Sequence, residues 1–147
     1  MADLGARLAT LLVAGDLVLL SGPLGAGKTT LVRGIGEAMH VRGAVTSPTF
    51  VIARVHPSEV GGPALVHADA YRLHRLAELD DLDLDADLDA SVTVVEWGTG
   101  VAEALTDARL EVRIARSDTS EERLVELLTF GDAWARRNAA LVSVARQ

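Results

Sequence analysis

Hydrophobic and polar positions along this 147-residue chain change period several times, and each change marks an element. Leu4, Leu8, Leu11 and Leu12 recur at helical spacing, which predicts an amphipathic N-terminal helix that ends at Gly15 and serves packing. Asp16-Leu17-Val18-Leu19-Leu20 is an apolar run of strand length. After a glycine-rich stretch, Leu31, Ile35 and Met39 form the buried stripe of a helix over Thr30 to Met39, with Arg33 and His40 expected outside it. Val51 to His56 reads as a strand, Pro57 to Pro63 as the turn that reverses it, and Ala64 to Asp69 as another strand ending in a carboxylate. Ser91-Val92-Thr93-Val94-Val95-Glu96-Trp97 is a further β run, and it too ends in an acid.

Towards the C-terminus, Gly98 to Ala104 is expected to start a short helix, and the strict alternation of Arg109 to Ile114 predicts a half-exposed strand. The next piece has two readings. Thr119-Ser120-Glu121-Glu122 resembles a capping box, while Arg123 to Phe130 suits a strand paired back on its predecessor; the hairpin is preferred. A short helix around Trp134 follows. The expected organisation is one domain over residues 1–131, with residues 132–147 a C-terminal helix or mobile tail. Strands interleaved with helices predict a three-layer α/β fold, its central sheet mostly parallel with antiparallel strands towards the C-terminus.

Composition narrows the chemistry. Half the residues are hydrophobic but only 3% are aromatic, so the core has to be built from Leu, Val and Ala. A net charge of −7 argues against a free-standing nucleic-acid binder, which would neutralise phosphates with clustered Lys and Arg; RNA would be met indirectly. The absence of cysteine excludes disulfides, thiolate metal sites and a cysteine nucleophile. No signal segment or membrane-length apolar run is seen, so a cytoplasmic location without membrane contact is expected. Residues Glu78 to Asp89 hold seven acidic side chains among twelve and no basic one, which suits either a solvated segment or an acidic rim for a basic partner.

The glycine-rich stretch is Gly22-Pro23-Leu24-Gly25-Ala26-Gly27-Lys28-Thr29-Thr30, which matches G-x-x-x-x-G-K-[ST] between a strand and a helix. In that setting the glycines let backbone N–H groups turn towards phosphate oxygens, and the helix N-terminus adds its dipole. Lys28 is then expected at the β and γ phosphates and the Thr29 hydroxyl on Mg²⁺. Lys28 is also the only lysine, all thirteen other basic residues being arginine. A compact ammonium fits such a loop where a planar guanidinium does not.

Downstream, Ser47-Pro48-Thr49-Phe50 reads as a loop entering a strand. Thr49, and after it Ser47, is a candidate sensor of a γ-phosphate; a plain Ser-Pro turn is the alternative. Asp69 could hold Mg²⁺ or orient water, or simply end its strand in a turn. Glu96, on the better strand, is the stronger Mg²⁺ candidate; Trp97 suits stacking on a base or packing. Guanine-specific GTPases read their base with N-K-x-D, which cannot be built here, because Asn138 is the only asparagine and Lys28 the only lysine. Adenine is favoured.

Four motifs in order, Gly22 to Thr30, Ser47-Pro48-Thr49-Phe50, His67-Ala68-Asp69-Ala70-Tyr71-Arg72 and Val95-Glu96-Trp97, resemble the TsaE family over about residues 3 to 130. The resemblance implies a small P-loop ATPase of tRNA threonylcarbamoyladenosine biosynthesis, using ATP and Mg²⁺. Its partners would be transferase subunits of the TsaD and TsaB type, which it would serve over repeated cycles with weak hydrolysis alone. Carried over, Lys28 and Thr29 serve phosphate and Mg²⁺, Thr49 matches a switch-like threonine, and Asp69, Glu96 and Trp97 match functionally important positions. Two other readings stand beside it: a nucleotide-gated binding module whose turnover is not essential, and a small-molecule kinase, for which Arg72 and Arg75 would have to act over the phosphates.

Overall fold

The computed structural model describes residues 1–46, 53–69, 88–96 and 107–147. The expectations placed on residues 47–50 (Thr49 among them), on Tyr71, Arg72, Arg75 and Trp97, on most of the acidic segment and on the helix after Gly98 lie outside them. The described elements are α1 (Ala2–Ala9), β1 (Leu17–Ser21), α2 (Lys28–Ala38), β2 (Ala53–His56), β3 (Ala64–Asp69), β4 (Ser91–Glu96), β5 (Arg109–Arg116), β6 (Arg123–Phe130), α3 (Asp132–Ala135) and α4 (Asn138–Arg146), with one 3₁₀ turn at Leu88–Ala90.

Six described strands form one sheet in the order β2-β3-β4-β1-β5-β6. The four inner strands are parallel, and β2 and β6 run antiparallel at the two edges. The expected α/β sheet is therefore present, and the second antiparallel edge comes from the turn after His56. The 123–130 segment is a strand, paired with β5 from Arg109↔Phe130 to Arg116↔Arg123, so the hairpin rather than the capping-box helix forms. Central strands buried on both faces read as near-continuous apolar runs; β1 does so, and β4 does with Thr93 as its one polar inner position. Val18, Leu20, Val92, Val94, Leu110 and Val112 face Leu4, Leu8, Leu31, Val32 and Ile35 of α1 and α2, while Leu17, Leu19 and Val95, one residue out of phase, are equally buried.

Two expectations change. The N-terminal helix stops at Ala9, well short of Gly15: the Thr10 hydroxyl donates back to the Arg7 carbonyl, and Thr10, Leu11 and Leu12 continue with tighter three-residue backbone bonds. The Asp16 carboxylate then accepts from Val13 N at 2.8 Å and closes the turn. On β5, the alternation of Arg109 to Ile114 predicts solvent for Glu111, but Glu111 is buried, with Arg109 Nε at 2.9 Å and Arg113 Nη2 at 3.0 Å. Flanking arginines two residues away on the same strand face are what allow a carboxylate to be buried there.

Past Gly131, α3 buries Trp134, and α4 buries Leu141 and Val144 in the same core as α1. Arg137 ties this end of the chain to the start of β1: it makes two bonds to Asp16 at 2.7 and 2.8 Å, donates to the Leu11 carbonyl at 2.8 Å, and stacks 3.8 Å over the Trp134 ring. Between α1 and α2 the backbones touch. A Cβ added to Gly34 would meet the Ala2 carbonyl, and one added to Gly5 would meet the Leu31 carbonyl.

Candidate functional site

β1 ends at Ser21, and the chain turns through the Gly22–Gly27 loop into α2, which begins at Lys28 rather than at Thr30. Gly27 caps α2 in a left-handed conformation, φ 108°, which a residue with a Cβ would adopt only under strain; that Cβ would also press on Met1 Cγ at 2.8 Å. Among the described residues no side chain caps this helix start, and its first turn carries no acid, so its leading N–H groups point into the loop. Leu24 at the crest is 91% exposed. Pro23 and Gly25 share that crest, Ala26 is buried beneath it, and Thr30 lies in the first turn of α2.

Lys28 is buried, and its Nζ donates to the carbonyls of Gly22 at 2.8 Å and Pro23 at 3.0 Å. Burial pushes its ammonium below the ordinary lysine value of 10.5, while the negative charges of Glu96 and, less, Asp69 pull it back up. The loop thus holds a desolvated cation against two carboxylates.

The sheet order explains why these groups meet. β4 lies between β3 and β1, with Glu96 in register with Leu20 on one side and Asp69 on the other. Thr29 Oγ1 donates to Glu96 Oε1 at 3.3 Å, and Glu96 is 3% exposed. His67 Nε2 lies 3.0 Å from the same oxygen, so two donors converge on Oε1. Of the residues singled out by sequence, Lys28, Thr29, Asp69 and Glu96 are gathered at the end of β1; Thr49 and Trp97 are not among the described residues. The His67–Glu96 bond was not anticipated. Its signal was present in the two-residue period that puts His67 on the face of Asp69, but the pairing needed the parallel register of β3 and β4.

A second feature adjoins the loop. A cleft of about 420 Å³ opens beside Gly22, walled by Ser21, Ile114, Ala115, Leu124, Val125 and the charged pair Arg113 and Glu126. Arg116, at the end of β5, brings its Nη1 to 3.7 Å from where a Cβ on Gly25 would stand.

The donor set fits a hard divalent cation in one specific way. Among the described residues no group of three or more His, Cys, Asp or Glu side chains forms a cage. A hydroxyl and one or two carboxylates, with the remaining positions left to water and phosphate, is how Mg²⁺ is commonly held. Nor is any helix among the described residues long and apolar enough to cross a membrane.

The chain is 60% identical to the tRNA threonylcarbamoyladenosine biosynthesis protein TsaE of Streptomyces coelicolor over 147 residues, covering 97% of this chain and 99% of the relative. It is 56% identical to the protein of the same name from Mycobacterium tuberculosis, covering 82% and 76%, and 37% identical to that of Bacillus subtilis, covering 75% and 68%. The crystal structure of Bacillus subtilis YdiB superposes with a TM-score of 0.71 at 27% identity, covering 99% of this chain and 87% of that one. The sequence model of threonylcarbamoyl adenosine biosynthesis protein TsaE matches residues 1–125, and the chain belongs to the TsaE family.

Proposed function

We propose that this chain is an ATPase of tRNA threonylcarbamoyladenosine biosynthesis, binding Mg²⁺-ATP on the Gly22–Thr30 loop and hydrolysing it in support of transferase subunits of the TsaD and TsaB type. The observation that carries the reading is the Thr29–Glu96 contact, which sets a hydroxyl and a carboxylate side by side next to Lys28 and the uncapped start of α2. Thr29 and Glu96 would hold Mg²⁺, with Asp69 bracing them or orienting the attacking water. The ion would offset phosphate charge during transfer to water. Lys28 would leave the Gly22 and Pro23 carbonyls for the β and γ phosphates, the loop N–H groups would bind phosphate oxygens, and Thr49 would report the γ-phosphate. The cleft beside Gly22 would offer the nucleoside an aliphatic wall; Trp97, outside the described residues, is the candidate for stacking on the base. The protein would work in the cytoplasm and meet tRNA only through its partners, as its −7 charge suggests.

The test is ATP turnover by the purified chain, with and without the transferase subunits, together with tRNA modification over many cycles. Low basal hydrolysis that rises with the subunits, and multiple turnovers of tRNA that require ATP, are expected. Phosphate transfer to a small acceptor, or tRNA cycling that ignores ATP, would refute it.

A further inference from the structure

His67 has no part in the chemistry assigned so far, yet it is fully buried and touches the central carboxylate. A carboxylate only accepts, so the 3.0 Å contact requires the proton on Nε2, donated to Glu96 Oε1. Among the described residues that leaves Nδ1 with no partner, at a position closed to solvent. A leucine or methionine of similar volume would fill this space between β3 and the core without stranding a ring nitrogen. What the imidazole adds is one directed N–H, aimed at the oxygen that also accepts from Thr29 at 3.3 Å.

We propose that His67 is a positioning residue for Glu96. Its Nε2–H fixes Oε1 from the buried side, so the carboxylate is held facing Thr29 at the mouth of the loop instead of swinging along the end of β4. Without that bond Glu96 keeps its place in the strand but loses its orientation, and the cation it would share with Thr29 is bound more weakly. The inference rests on the reading of Glu96 as a Mg²⁺ ligand. Losing a group that orients a metal ligand typically costs 10- to 100-fold in metal affinity or activity.

The experiment uses the full chain and three variants: His67→Phe, which keeps a ring and removes the donor; His67→Asn, whose amide falls short of Glu96; and His67→Gln, whose amide reaches to about the position of Nε2. For each, the Mg²⁺ concentration that half-saturates ATP binding is measured, alongside the ATP affinity without Mg²⁺, with thermal melting to confirm folding. Expected is a rise of 10-fold or more in the Mg²⁺ requirement for Phe and Asn, a rise of less than about 3-fold for Gln, and unchanged affinity for metal-free ATP. If Phe does not fold, Asn carries the comparison. An unchanged Mg²⁺ requirement in a folded donor-less variant overturns the role of His67, as does an equal loss in Gln. Should ATP binding by the unaltered chain not depend on Mg²⁺, the metal reading of Glu96 falls first, and this inference with it.

Discussion

Gly34 gives a test in which two physical arguments predict opposite signs. It sits inside α2, where replacing glycine by alanine ordinarily stabilises by about 1 kcal/mol through backbone entropy. Here an added Cβ would lie 2.7 Å from the carbonyl carbon of Ala2 and 2.8 Å from its Cα, and still closer to the oxygen. These are backbone atoms that cannot rotate away, so α1 itself must shift. Its docking buries Leu4 and Leu8, at about 1.5–3 kcal/mol each, so about 3–6 kcal/mol is at stake were the helix to leave. A partial shift costs about 1–3 kcal/mol, as overpacking does elsewhere. Set against the propensity gain, Gly34→Ala is expected to destabilise by up to about 2 kcal/mol, equivalent to as much as about 4–8 °C in Tm for a chain of this size. Urea unfolding followed by the fluorescence of buried Trp134 would measure it. Gly62→Ala is the control: its Cβ would meet only Ser58 Oγ at 3.5 Å, an ordinary contact, and near-neutrality is expected. A Gly34→Ala variant more stable than the parent would show that α1 yields freely and would refute the reasoning.

Two further outcomes follow from single side chains. Since Lys28 is the only lysine, ¹⁵N-lysine NMR reads one ammonium; it should titrate below 10.5, so the folded state gains stability as pH rises through the window between its lowered value and 10.5, where the unfolded chain binds more protons, and Lys28→Met should erase that slope along with ATP binding. A titration at or above 10.5 without nucleotide would contradict this. Arg137→Ala should cost about 3 kcal/mol in urea unfolding, because it strands the Asp16 carboxylate, buried to 8% exposure, and strips the Trp134 ring of its cation; a loss under about 1 kcal/mol would show that the clasp is incidental.

The sheet was legible because its signals are local. The inner positions of β1 are all apolar and those of β4 are valines apart from Thr93, and the glycine-lysine-threonine pattern sits where only a strand-to-helix loop fits. Glu96 and Asp69 could be named as strand-end carboxylates for the same reason. Less legible were features that depend on how elements pack. The register setting His67 against Glu96 and the Asp16–Arg137 clasp across 121 positions of sequence join residues that no period relates, and the arginines beside Glu111 share its two-residue period but turn inward to pair with it only in the folded sheet. The early end of α1 was missed because Leu11 and Leu12 prolong the apolar pattern, while the Thr10 back-bond and the Asp16 turn unwind the helix.

Charge at the loop bears on which form of the nucleotide the site would accept. Within reach of one another are one lysine and two carboxylates, a local balance of one negative charge before any phosphate arrives. A free triphosphate would bring several more negative charges towards Glu96, which is 3% exposed and so poorly screened by solvent. The start of α2 and the guanidinium of Arg116 near Gly25 would offset part of that repulsion from the side of the loop. A divalent cation held by Thr29 and Glu96 would stand there and reverse the sign. The same carboxylates that would repel the metal-free nucleotide would thus become ligands for its complex, and their negative charge favours the charged form of Lys28 against the desolvation that its buried position imposes. On the proposed function, an acidic pair beside the loop would therefore work as a selector for Mg²⁺-ATP over ATP alone, and the selection would be only as sharp as the orientation of Glu96, which His67 would set.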